Sequence, residues 1–206
     1  MTSSLPQPTP PFEGTRGYIV ADSTPSPLTI TKAPKGAPNI VLILLDDVGF
    51  GTCGTFGGPV PTPALDRVAA HGLRFNQFHT TALCSPTRAA MLTGRNHHTV
   101  HMGGIPEGAN VFPGYDSIIP KEAASVAEIL KQSGYSTGAF GKWHLAPLWE
   151  QTLAGPFDRW PTGKGFDHFY GFLGSQTDQY NPDLVEDQTH IKGDGRHLNE
   201  LITDKA

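Results

Sequence analysis

The sequence predicts an α/β protein, a mostly parallel sheet flanked by helices. Three observations carry this expectation. NIVLILL, from Asn39 to Leu45, is a short unbroken run of leucine and β-branched residues, suited to a strand buried on both faces. Helix signals then alternate with strand signals along the chain, as in sheets with crossover helices. The candidate chemical groups fall just after the predicted strands, where such sheets gather their ligands.

The elements follow in order. Residues 1–38 hold eight of the 19 prolines and almost no periodic apolar pattern, so they read as an extended arm in front of a body covering residues 39–206. After NIVLILL, the stretch TPALDRVAAHG reads as a helix, with Thr62 as cap, Pro63 in the first turn and Gly72 as stop. LRFNQF reads as a strand. SPTRAAMLTG is a second helix, with Ser85 as N-cap and Gly94 as C-cap, which places Cys84 at a helix N-terminus. PKEAASVAEILKQSG is a third, followed by the strand-like YSTGAF and then GKWHL. Residues 146–197 are rich in Gly, Pro and Asp and read as a long surface excursion. HLNELITDKA opens a last helix that stops after barely two turns, so the body is expected to be incomplete at its C-terminus.

Composition narrows the partners. With 24 glycines and only 17% charged residues, irregular segments should dominate. A net charge of -4, without a long basic cluster, supplies no electrostatic attraction for nucleic acid or an anionic membrane. No basic n-region and apolar h-region follow Met1, and the longest apolar run is too short to span a bilayer. Two cysteines make no disulfide framework and suit a reducing compartment, so the cytoplasm is the expected location.

Several groups are candidates for chemistry. Asp46 and Asp47 follow the predicted central strand, where adjacent carboxylates repel and lose hydration unless a cation lies between them. An Asp pair elsewhere would ordinarily be a solvated loop or cap; the position after a strand favours a hard divalent ion. GFGTCG matches the glycine pattern of dinucleotide sites, but the two aspartates would face the pyrophosphate and Gly57, Gly58 and Pro59 break the helix it needs. His97, His98 and His101 lie after the helix has ended at Gly94, with neither an intervening Glu nor a nearby cysteine ligand, and read as loop histidines.

The sharpest pattern is CSPTR followed by AAMLTG, which sets Cys84, Pro86, Arg88, Thr93 and Gly94 at fixed offsets. It closely resembles the type I sulfatase signature C-x-P-x-R-x4-T-G. The strand ending in Asp46 and Asp47, FGGPVPTPALDRVAAHGLRF and GKWHL resemble further family elements in the same order, covering Asn39 to about Tyr180, with wording closest to bacterial arylsulfatases. The resemblance implies an alkaline-phosphatase/sulfatase-like fold and a sulfuric ester hydrolase. It implies that a formylglycine-generating enzyme oxidises Cys84 to formylglycine, which serves as nucleophile and metal ligand. Asp46 and Asp47 are implied metal ligands, Arg88 steadies the formylglycine, and Lys142 and His144 contact the sulfate. All-oxygen ligands favour calcium, with magnesium as the alternative. The family's downstream histidine, Asp-Asn metal pair and lysine have no match here, so the segment is expected to be inactive alone. A phosphonate or phosphate ester hydrolase of the same superfamily is the competing enzyme reading, and a truncated product without function the competing non-enzymatic one.

Overall fold

The computed structural model describes residues 11–27 and 30–206; those parts of the predicted arm at 1–10 and 28–29 lie outside the described residues. Among the described residues, four α-helices and four strands follow in order: α1 Pro63–Ala70, α2 Cys84–Thr93, α3 Val126–Gln132, β1 Gly138–Lys142, β2 His168–Phe172, β3 Asp183–Glu186, β4 Thr189–Lys192 and α4 Leu198–Lys205. The class is α/β, with one four-stranded sheet in the order β1-β2-β3-β4. It is mixed: β1 and β2 run parallel, whereas β2–β3 and β3–β4 are antiparallel.

All four helices lie where local punctuation predicts them. Pro63 opens α1 and Gly94, at φ 65°, closes α2. α3 begins with a capping box in which Ser125 Oγ accepts from the Glu128 amide and the Glu128 carboxylate accepts from the Ser125 amide. Ser125 also donates its hydroxyl to the Lys164 carbonyl, so the cap fastens α3 to the following loop.

The strands differ more from expectation. Asn39–Leu45 forms no strand, and Ile40, Val41, Leu42 and Ile43 are exposed. A strand exists by pairing its backbone, and among the described residues no neighbour pairs with this run. LRFNQF likewise forms no strand. Conversely, the predicted surface excursion contains β2, β3 and β4. Leu184 and Val185 of β3 are fully buried, and Asp187, at φ 54°, turns the chain back into β4.

One core lies between α2, the end of β1 and β2, built on Ala89, Val100, Met102, Trp143, Leu145, Trp160 and Phe169. A second seats Leu198 and Leu201 of α4 on Tyr170, Phe172 and Leu184. Gly141 and Gly171 face each other across β1 and β2, and a side chain at 171 would overlap the Gly141 carbonyl oxygen. This close approach fixes the exit of β1, one residue before Lys142. The arm touches the body at Ala33, whose amide donates to the Gly134 carbonyl beyond α3.

Candidate active site

Residue 84 is the first residue of α2, and extended Leu83 takes the N-cap position that the sequence assigns to Ser85. Ser85 is instead buried in the first turn, donating its hydroxyl to the His144 carbonyl at 2.7 Å. That bond ties the start of α2 to the segment leaving β1. Pro86 occupies the same turn, where a missing amide hydrogen leaves no bond unmade. Four residues after Cys84, Arg88 stands one turn up the same face.

Past β1, the Trp143 amide donates to the Phe172 carbonyl and the His144 amide to the Leu173 carbonyl, extending the ladder to the functional residues. The Trp143 indole donates to the Arg159 carbonyl, and Arg159 pairs with buried Glu150. His144 is fully buried and held at φ 54°, a left-handed conformation that costs a residue with a Cβ about 1 kcal/mol or more. The surrounding bonds impose it.

Five of the six predicted site residues come together. His144 Nδ1 lies 3.1 Å from Cys84 Sγ. Arg88 donates through Nη1 to the Lys142 carbonyl at 2.6 Å and through Nη2 to Asp46 Oδ1 at 2.9 Å. Lys142 Nζ donates to Asp46 Oδ2 at 2.8 Å. The basic side chains are about one tenth exposed, so the two cations share one carboxylate largely out of water. Asp47 is exposed at φ 55° beside them.

Glu107 is the residue sequence reasoning missed. Its Oε2 lies 2.8 Å from His144 Nε2. It sits on a 3-10 turn, Pro106–Gly108, in a loop without periodicity or motif, so nothing local marks it. His98 and His101 of the same loop bond to Tyr115 and Asp116.

Electrostatics assign protonation states. Burial pushes the Asp46 carboxyl up, but hydrogen bonds from Lys142 and Arg88 outweigh it and leave the pKa below its usual value. Burial pushes His144 down more than Glu107 raises it, and Lys142 and Arg88 push it down further, so the ring is neutral near pH 7. Burial pushes the Glu107 carboxyl up, but its bond to His144 and its backbone hydrogen bond together outweigh burial and leave the pKa below its usual value, so it stays ionised.

The metal implied by the family resemblance finds an incomplete donor set. Asp46 engages both basic side chains, and among the described residues no three His, Cys, Asp or Glu side chains gather to hold an ion. An oxygen donor set of this kind suits a divalent cation, but these residues alone supply too few of the donors it takes. What they do assemble is a candidate nucleophile at a helix N-terminus, an imidazole against it, and two partly buried cations: a setting for a tetrahedral oxyanion.

Comparison with known proteins places the chain in a family. The sulfatase family model matches residues 38–206. The chain is 32% identical over 151 residues to an arylsulfatase of Klebsiella aerogenes, covering 72% of this chain and 31% of that protein. It is 44% identical over 137 residues to human arylsulfatase A, covering 65% and 25%. The solved structure of Ps i-CgsB superposes with a TM-score of 0.63 at 25% identity, covering 82% of this chain and 40% of that one. The chain thus spans about a quarter to a third of the length of these curated relatives. With the match running from residue 38 through the whole of α2, the sheet and α4, the chain belongs to the sulfatase family.

Proposed function

We propose that this chain carries the nucleophile and the oxyanion-binding side chains of a sulfuric ester hydrolase of arylsulfatase type, acting on small-molecule sulfate esters. The observation that carries the reading is the convergence of Cys84, Arg88, Lys142 and His144. Oxidised to formylglycine by its generating enzyme, position 84 would offer a hydrate oxygen in place of a thiol as nucleophile. Lys142 and Arg88 exchange Asp46 for the sulfate oxygens and hold charge where it gathers during attack. The amides opening α2 add their positive end to the same anion. His144 Nδ1, facing residue 84, accepts the proton that this side chain gives up. Asp46, Asp47 and residue 84 are proposed ligands of a calcium ion, or of magnesium, together with donors beyond this set.

The test is expression of the protein carrying this segment in a host with a formylglycine-generating system. Mass spectrometry should find the aldehyde at position 84 while Cys53 stays a thiol. Aryl sulfate should be hydrolysed, with activity lost in Cys84→Ala and on chelation, and restored by calcium. Unmodified thiol in a host shown to convert another sulfatase overturns the reading. So does faster turnover of an aryl phosphonate.

A further inference from the structure

Buried imidazoles have two nitrogens to satisfy, and His144 has two partners on opposite sides: Cys84 Sγ at Nδ1 and Glu107 Oε2 at Nε2. We propose that Glu107 is the positioning residue of this site, fixing His144 as the Nε2-protonated tautomer so that the Nδ1 lone pair faces residue 84. The assignment rests on the proposed sulfatase reading for its consequence, but its geometry stands independently.

An ionised carboxylate only accepts, so the nitrogen facing Glu107 must carry a proton. On the other side the Cys84 thiol has a hydrogen to donate, so Nδ1 is the acceptor and the ring carries its proton on Nε2. The ring is fully buried, so water offers no alternative partner, and turning it over would exchange both contacts at once. The ring's backbone is held as well, by its amide bond to Leu173 and by the bond its carbonyl accepts from Ser85.

Glu107 is held from its own side. The loop carrying it is clasped at its base by the Ser117 amide on the His101 carbonyl and the Gly103 amide on the Gly114 carbonyl. Farther out, the Asn110 amide donates to the Tyr115 carbonyl. Pro106, beside Glu107, is fully buried. A loop of irregular sequence is thereby made rigid where it meets His144. Carboxylate, imidazole and nucleophile stand in line, an arrangement in which the acid orients the base without touching substrate.

Two measurements on the protein carrying this segment decide the matter. Nitrogen-15 histidine spectra, with the His144 resonance identified by its loss in His144→Gln, should show the Nε2–H form in the wild type and a mixture in Glu107→Ala. Glu107→Gln keeps an acceptor oxygen and should keep that form. In kinetics on aryl sulfate, Glu107→Ala should lower kcat about 10²-fold with KM nearly unchanged, and Glu107→Gln should recover most of the loss. An Nδ1–H ring in the wild type overturns the proposal. So does a tautomer indifferent to Glu107→Ala, or equal losses in both variants with a changed KM. If the wild type turns over no sulfate ester, the functional reading fails while the spectra still decide the tautomer.

Discussion

Asp46 accepts from Lys142 and Arg88 through its two oxygens, so the cations are pre-aimed at one point before any substrate arrives. Holding them there in advance removes part of the ordering cost of binding an oxyanion. The Arg88 side chain also reaches the Lys142 carbonyl, which makes the pair one unit. Lys142→Ala in the protein carrying this segment should therefore lower kcat/KM on aryl sulfates by about 10²-fold or more. Lys142→Arg should not restore it, because a planar fork cannot take the place of a compact ammonium in a space already lined by Arg88. Steady-state kinetics check both; wild-type rates in Lys142→Ala would reduce this residue to a structural role. At this scale the sequence was informative where offsets are short and fixed. Cys84 and Arg88 share one helical turn and Lys142 and His144 one strand exit, so motif and fold coincide. Glu107 escaped because its partner lies 37 residues away across an irregular loop. The bonding of Asp46 to Lys142, 96 residues away, was equally invisible in the string.

The elements behave according to how local their causes are. α1, α2, α3 and α4 were all legible because prolines, glycines, caps and apolar spacing act within a few residues. Strands need partners, and there structure and sequence pattern differ in both directions. Asn39–Leu45 has strand composition without a paired neighbour among the described residues, whereas β3 and β4 are four-residue strands whose neighbours make them. DLVE and THIK, divided by Asp187 and Gln188, did hold a hairpin cue, masked by the Gly- and Asp-rich surroundings. The element most exposed to a single change is the β1–β2 pair. At Gly141 and Gly171 the two backbones approach so closely that a methyl group at 171 collides with a carbonyl, and Gly141 itself sits at φ 105°. Gly171→Ala should part the strands and destabilise the protein by about 1–3 kcal/mol, as overpacking does. Because Trp143 and His144 hang on the same ladder, the change should also displace the Cys84–His144 contact. Denaturant unfolding measures the first effect, and the His144 ring resonance the second. An unchanged midpoint would mean that the ladder relaxes freely.

Across the whole molecule, packing is divided unevenly. Both apolar cores draw only on residues 89–201, and of residues 39–83 only Cys53 and Thr55 are buried. The accessible surface is 14028 Å², against roughly 9,300 Å² for a compact monomer of this mass. Large apolar side chains contribute to it: Val41 is 81% exposed, Ile43 71%, Leu73 83% and Phe78 77%. NIVLILL concentrates the hazard, since it is rich in leucine and β-branched residues, free of charge and proline, and offers an unpaired backbone to another chain. A net charge of -4 over 206 residues is a weak repulsion against that attraction. The 206-residue chain at micromolar concentration should therefore bind a hydrophobic dye strongly and self-associate in light scattering. Val41→Asp with Ile43→Asp should reduce both effects, because it places charges in the middle of the run without touching either core. Limited proteolysis should cut first between residues 39 and 83, leaving a resistant piece that begins near Cys84, because few buried contacts oppose local opening there. A monodisperse, dye-silent chain cleaved no faster in this segment than in α2 would show that these residues are covered in solution.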